Sequence, residues 1–420
     1  MNTKYAFVLL IILLGTESLL RAAPFRTEIY SPKIQTLRIR PADDPFGLPI
    51  IDLEGGQFIE VSFDELTAQP HRYVYTVTHC NADWNKSQLI AAEYMSGFQQ
   101  LPIEEYSNSF NTTMDYVNYK IYFPNPDLTL KVSGNYAVHV FSDEDMNSPL
   151  LTACFSITEP LVDITNAGVT PNTDIDFNAT HQQVSFDINY KFNTTAPLQE
   201  FKVYVQQNNR KDNMAALVQP QLVRDGRLEY THNKDLIFNA GNEYRRFEMI
   251  SSRNNGLNIY RTEYHAPYFH VELYPDEIRA KRSYRYDEDI NGRFFIRSED
   301  GVDYDYEADY FFVHFSLPRE EPYLENIYLL SEIFHNIPDE RSQLKYNYER
   351  KTYEMSLLLK QGAYNYLYVT KNGNKPQMVT DLIEGNYFQT ENEYTVYVYH
   401  RPFGGRYDKL VGWRTVRYQQ

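Results

Sequence analysis

The chain has 420 residues, a formal net charge of −16 and a pI near 5.1, with 15% aromatic residues that include 37 tyrosines. An acidic balance of this size makes a poor ligand for nucleic acid or anionic lipid. About 400 residues beyond a short leader are also too many for one all-β core, so two or three domains are expected.

The N-terminus reads Met1-Asn-Thr-Lys4, then an apolar run from Tyr5 to Leu14, then small and polar residues through Ser18. A basic n-region, a short h-region and a processing zone describe a secretory signal peptide, taken as residues 1–23, with cleavage after Ser18, Ala22 or Ala23. The apolar run is shorter than the roughly 20 residues needed to span a bilayer. No cysteine follows it, so lipid anchoring through one is not expected. Without residues 1–23 the chain loses Lys4, Arg21 and Glu17, which leaves 38 basic against 55 acidic residues and a net charge of −17.

Residues 24–159 form the first expected domain, with strands at Leu37–Arg40, Phe58–Phe63, Arg72–His79, Asn118–Phe123, Asn135–Phe141 and Leu151–Ile157. Aromatic and β-branched residues suit a pleated, half-buried surface, and the turns at Gly55-Gly56, Pro124-Asn-Pro126 and Ser133-Gly134 give sandwich spacing. A short helix or loop is expected around Ser87–Met95. Residues 160–274 form the second, with strands at Val184–Tyr190, Phe201–Gln206, Arg227–Tyr230, Glu243–Ser251 and Phe269–Leu273, joined by Asn-rich turns. Residues 275–420 form the third, with strands at Arg293–Arg297, Tyr310–Leu317, Asn326–Leu330, Thr352–Leu359, Tyr364–Val369, Tyr394–His400 and Leu410–Val416. The expected class is all-β: three consecutive immunoglobulin-like β-sandwich domains. An outer-membrane barrel is the rival. It needs many strands of about 10 residues with an unbroken apolar face, whereas here Lys202, Glu272 and Glu354 break into shorter runs.

Little in the chain reads as chemistry. Cys80 and Cys154 are the only cysteines, and they either form a disulfide closing a loop of about 75 residues or remain two buried thiols. Asp287-Glu-Asp-Ile-Asn-Gly292 opens like an EF-hand loop, but Ser298 stands where a bidentate Glu is required, so a solvated acidic turn is the expected reading. Asp303, Asp305, Glu307 and Asp309 alternate on one face, which a glycosidase needs only if two carboxylates oppose across a cleft. His79 adjoins Cys80, but neighbours on a strand point to opposite faces. There is no His-Glu-x-x-His, no Gly-x-Ser-x-Gly and no phosphate-cradling loop. No enzyme activity, metal or cofactor is expected.

Four stretches carry a resemblance. They are Thr78-His-Cys-Asn-Ala-Asp-Trp84, Phe238-Asn-Ala-Gly-Asn-Glu-Tyr-Arg-Arg-Phe247, Glu307-Ala-Asp-Tyr-Phe-Phe-Val-His-Phe-Ser-Leu317 and Glu384-Gly-Asn-Tyr-Phe-Gln-Thr-Glu-Asn-Glu-Tyr394, the last running on through His400-Arg-Pro-Phe-Gly-Gly405. Together they resemble the plug protein of the type IX secretion system of Bacteroidota, over essentially the whole mature chain. The resemblance implies a periplasmic protein at the inner face of the outer membrane. It implies one partner, the giant outer-membrane translocon β-barrel, whose periplasmic mouth it closes when no cargo is in transit. It implies a monomer outside that complex, with no nucleic acid bound and no direct membrane insertion. His79, Asp83, Trp84, Gly241, Asn242, Arg245, Arg246, Gly385, Asn386, Tyr387, Asn392 and Arg401 are its signature positions, either as contacts that preserve the fold or as interface. Residues 326–369 also look like an early-set, glycogen-binding-type domain. Neither Trp84 nor Trp413 lies there, although such modules commonly hold sugar on tryptophan. A carbohydrate-binding accessory protein is therefore the alternative function.

Overall fold

The computed structural model describes residues 23–371, 373 and 377–418, so the expected signal peptide lies, but for its last position, outside the described residues. Strands form where Tyr, Val, Ile and Thr alternate. Tyr73–Cys80 pairs antiparallel with Gly134–Ser142, with Val77 opposite Val138 and Tyr75 opposite Val140. Among the described residues no helix is long and apolar enough to cross a membrane, and each sheet runs as an open series of strands. The short helix expected near Ser87–Met95 is Ala91–Tyr94.

A ten-stranded sheet is the backbone of the molecule. Its main path runs Met214–Ala215, Phe201–Gln207, Glu393–His400, Lys409–Arg417, Leu151–Thr158, Gly134–Ser142, Tyr73–Cys80, Gln100–Pro102. One half packs against the four-stranded sheet of Ile34–Pro41, Ile59–Glu65, Val117–Phe123 and Glu105–Asn108, burying Ile59, Val61 and Phe63 with Tyr136, Val138 and Val140. The other half packs against Val162–Pro171, His181–Tyr190, Arg227–Tyr230, Leu222–Arg224 and Ile237–Asn239, burying Val184, Phe186 and Ile188 with Val203, Val205, Val396 and Val398. The halves meet where Thr158 pairs in parallel with Leu410. The Glu159 N–H donates to the Leu410 carbonyl at 2.9 Å and the Leu161 N–H to Val411 at 2.8 Å.

Two five-stranded sheets enclose a third core. Arg245–Met249, Gly362–Lys371, Phe294–Ile296, Ile327–Leu330 and Met378–Val379 form one. Ile259–His265, Tyr268–Leu273, Tyr310–Pro318, Thr352–Lys360 and Lys345–Asn347 form the other, and Phe247, Phe315, Tyr364 and Tyr366 are buried between them. Strand pairing thus departs from consecutive blocks. Arg245–Met249, Ile259–His265 and Tyr268–Leu273 belong with the strands after residue 275, while Glu393–His400 and Lys409–Arg417 return to pair with Phe201–Gln207 and Leu151–Thr158. We propose a division in which the third sandwich, residues 244–386, is inserted into a middle sandwich completed by the last two strands.

The tyrosines are largely structural. Nine of the twelve largest fully buried side chains are tyrosines, so hydroxyl groups are carried into the interior and need partners there. Several find them across sandwich boundaries. Tyr116 donates to the Ala308 carbonyl at 2.7 Å, Tyr310 to Asp64 at 2.6 Å and Tyr399 to Asn135 at 2.9 Å.

Candidate functional site

The inserted third sandwich makes the chain cross the same gap twice, outward at 240–244 and back at 384–392. The two passes are bound to each other. Gly241, at φ +65, donates its N–H to Asn386 Oδ1 at 3.0 Å, and its carbonyl accepts the Tyr387 N–H at 2.8 Å. A left-handed residue here strains any side chain, which glycine avoids. Asn242 Nδ2 donates to the Glu384 carbonyl at 2.8 Å, and the Tyr387 hydroxyl to the carbonyls of Arg279 and Arg282 at 2.9 and 2.7 Å. Gly385, at φ +81, lies against the Tyr387 ring, where a Cβ would come within 2.9 Å. Asn392 Nδ2 bonds Gln182 and the Ala240 carbonyl at 3.0 and 2.7 Å.

A buried ion cluster fixes the far side of this crossing. Arg245 grips both oxygens of Glu384 at 3.0 Å and Asp276 at 2.7 Å, while Arg279 adds a 2.7 Å bond to Glu384. Burial of the fully enclosed Glu384 carboxyl opposes its charge, and the two guanidiniums outweigh that and hold its pKa below the ordinary range. Arg246, half exposed, reaches only Asp287 at 3.1 Å.

Of the remaining signature residues, Arg401 joins the first and middle sandwiches. The centre is Asp408, fully buried, which accepts from the Ala82 N–H at 3.0 Å, Lys202 at 2.9 Å and Arg401 at 2.8 Å. Arg401 also bonds Asn81 Oδ1 at 2.8 Å. His79 is buried between Ser87 Oγ at 2.9 Å and the Ser133 carbonyl at 3.2 Å, and burial lowers its pKa to about 4, so it stays neutral. Asp83 accepts the Asn85 N–H at 3.1 Å, which shapes the turn that presents Trp84.

Cys80 and Cys154 are free thiols. Both lie over Ala137 on one face, but the strand that carries Ala137 runs between theirs. Two strand spacings, about 9.6 Å, separate their backbones, beyond the roughly 7 Å that a disulfide spans. Burial pushes the Cys154 thiol up to about 12 and keeps it protonated.

A third junction links the first sandwich to the inserted one. Lys360 and Asp64, both fully buried, meet at 2.6 Å, and Asp305 is held by Arg38 and Lys120, each at 2.6 Å. Asp309 accepts from Thr113 and Met114, and Asp303 caps a short helix through the Asp305 N–H. These carboxylates are engaged in junction and turn bonds. Among the described residues no group of three or more His, Cys, Asp or Glu is placed to hold a metal ion. In the loop that opens like an EF-hand, Asp289 accepts the backbone N–H groups of Asn291 and Tyr244, and Asp287 takes Arg246.

Two cavities open where the sandwiches converge. One of about 120 Å3 is lined from all three, by Arg38, Trp84, Tyr204, Gln206, Tyr397 and Asn336 among others. The other, about 460 Å3, is acidic, with Glu243, Asp287, Glu288, Asp289, Glu391 and Glu393 set against Arg293 and Arg417. Burial and the neighbouring Glu243 raise the Asp289 pKa to about 7. Phe46 and Arg293 line both. The sequence marked Trp84 and the two crossing segments, but it did not single out Asp64, Lys360, Glu384 or Asp408 as hubs. Each is an ordinary charged residue until its long-range partners are known.

Similar proteins agree with this architecture. Residues 34–159 match the family model described as the type 9 secretion system plug protein 1st domain. A hypothetical protein from Parabacteroides merdae ATCC 43184, known from a crystal structure at 2.30 Å resolution, is 47% identical with a TM-score of 0.91, covering 94% of this chain and 99% of that one. No protein of curated function matches. The family is one of secretion-system plugs and not an enzyme family, and the matched segment is the sandwich that Asp64 and Asp408 bind to the other two. The chain belongs to the type IX secretion system plug protein family.

Proposed function

We propose that this chain is a non-enzymatic periplasmic plug that docks on the periplasmic mouth of the type IX outer-membrane translocon barrel and closes it when no cargo is in transit. The family match of residues 34–159 carries this reading. The three interlocked junctions support it, since a stopper must keep its shape under load without turning anything over. The basic leader and apolar run at the N-terminus fit export to the periplasm. The chain acts as a monomer outside the complex, with no cofactor, and its acidity disfavours nucleic acid and anionic lipid as partners. Nearly all of the signature side chains are spent on internal bonds, so docking draws on other residues. The test is to isolate the native protein from detergent-solubilised envelopes and identify what accompanies it. A giant outer-membrane barrel, enriched when secretion is idle, is expected. Its absence under every secretion state overturns the proposal.

A further inference from the structure

The hairpin of Ile259–His265 and Tyr268–Leu273 joins its sheet along one line, the parallel pairing of Tyr268–Leu273 with Tyr310–Pro318. That line runs only from Phe269 opposite Phe311 to Glu272 opposite His314, and parallel pairing is slightly the weaker kind. On the outward face a histidine from each strand closes it. His270 Nδ1 and His314 Nε2 lie 2.9 Å apart, with the ring planes parallel to within 5°. His314 Nδ1 continues the chain to Ser356 Oγ at 2.7 Å on the next strand, Thr352–Lys360. The side-chain bond across this line is therefore made by two groups of the one type that changes charge near neutral pH.

A neutral imidazole carries one N–H and one lone pair, so the gap between the two ring nitrogens takes one proton and no more. A first added charge keeps the bond. The His270 ring lies against the Phe312 ring, with centroids 5.2 Å apart and planes 19° apart, and an aromatic face favours a cation. Charging His270 at Nε2, away from the gap, strengthens its donation to His314. A second proton has to go to the nitrogen that accepts, and two N–H groups then face each other. Burial first, and the charge of His270 next, lower the His314 pKa from its ordinary value.

The charges around the pair do not offset a second imidazolium. Ile259–His265 presents Arg261, Glu263 and His265, whose ring centroid is 5.2 Å from that of His270. Tyr268–Leu273 presents Glu272, and Thr352–Lys360 presents Glu354 with Lys345 opposite it. Each carboxylate already has a donor. Arg261 holds Glu272 at 2.7 Å and Glu263 at 3.2 Å, and Glu354 takes Asn347 at 3.0 Å and Arg350 at 3.4 Å. We propose that His270 and His314 form a proton-counting latch, which ties the hairpin to the sheet while one proton is shared in the gap and lets it loosen in acid when both rings are charged. The latch is complete above the ordinary histidine range. It fails as pH falls through the lowered His314 value, because unfolded histidines take up their protons first. The proposal stands independently of the plug role.

The test is hydrogen exchange of the full mature chain at about pH 7.5 and about pH 5, on either side of the histidine range, with each rate divided by the intrinsic rate at that pH. Protection in residues 259–273 is expected to fall about tenfold more than protection in Glu393–His400, since one charge-assisted hydrogen bond is worth roughly that factor. His314→Gln keeps a hydrogen-bonding side chain that does not titrate, and is expected to abolish that extra fall. Histidine-labelled NMR of the unaltered chain needs no variant. The two rings are expected to titrate as a coupled pair, with steps at least about one pH unit apart. Two rings that titrate independently at the ordinary histidine value overturn the proposal. So does a hairpin that loses no more protection than Glu393–His400, or an extra fall that persists in His314→Gln.

Discussion

Replacing Lys360 with Met tests whether the sandwiches behave as one body. The Lys360 ammonium is fully buried, and its three protons are met by Asp64 Oδ2 at 2.6 Å, the Asp305 carbonyl at 2.6 Å and the Tyr116 ring, whose centroid is 4.1 Å away. Met preserves most of the volume but leaves Asp64 as a buried carboxylate held only by the Tyr310 hydroxyl at 2.6 Å and Asn118 Nδ2 at 2.7 Å. Breaking one side of a buried pair typically costs about 3–5 kcal/mol, against about 0–1 for an exposed pair. Arg38 lies close enough for Asp64 to act on its charge, so the lower end, about 3 kcal/mol, is expected. Asp64→Asn strands Lys360 instead. Burial already lowers that ammonium to about 8, so it sheds its proton more readily, and a loss of about 2 kcal/mol is expected. The double variant removes both charges and should lose less than the two singles together, with a coupling of about 2–3 kcal/mol.

A chain of several sandwiches is not a two-state unit, so denaturation is best paired with hydrogen exchange. Lys360→Met should release protection in Ile59–Glu65 and Thr352–Lys360 before the middle sandwich. Strict additivity of the two substitutions, with coupling below about 0.5 kcal/mol, would refute the reasoning. So would protection lost evenly across the chain.

Asp289→Asn should stabilise the protein at neutral pH by about 1–3 kcal/mol. The folded chain holds this proton to about pH 7 while an unfolded aspartate releases it near 3.8, so the stability penalty grows from about pH 4 to pH 7 and is absent below; thermal midpoints at pH 4 and 7.5 check it. His79, His139 and His335 are each lowered to about 4 by burial, from an ordinary 6.5. Stability should therefore fall as pH drops from 6.5 towards 4, and His79→Gln should flatten that part of the profile in pH-resolved denaturation. Gly362→Ala drives a Cβ to within 2.3 Å of the Phe295 carbonyl and should cost about 2–4 kcal/mol, while Gly168→Ala, with nothing within 4 Å, should be near neutral by the same melts. Because both cysteines are free, a reducing agent should leave the melting temperature unchanged; a drop of several degrees would show a bond.

Local chemistry made most strands legible. Runs such as Tyr394–His400 and Tyr310–Leu317 lie within strands observed at Glu393–His400 and Tyr310–Pro318. Val162–Pro171 escaped because its Asn-Ala-Gly centre reads as a turn. The strand tolerates it through a register shift between Thr165 and Gly168, with Asn166 at φ 49. Strand partnership was not legible at all. Nothing local tells Glu393–His400 to pair with Phe201–Gln207 across almost 200 residues of chain, because any alternating strand presents the same hydrogen-bonding edge. The cysteine pair shows the same limit, since spacing along a chain says nothing about an intervening strand.

That limit also explains why the signature residues looked ambiguous. Gly241 and Asn386 are neighbours in space and remote in sequence, so each reads alone as a turn residue, and only the inserted sandwich makes them one device. Two chain passes bonded side by side resist the hinge motion that a single linker would permit. Arg245, Arg279 and Glu384 add a buried charge cluster that tolerates no partial opening, because any separation strands a desolvated carboxylate. The interdomain tyrosine hydroxyls work in the same sense, bonding Ala308, Asp64 and Asn135 across boundaries that apolar rings alone would leave free to slide. A chain that commits this much buried polarity to holding three sandwiches at fixed angles gives up easy domain motion for a defined overall shape. That exchange is what the proposed plugging role asks of the chain.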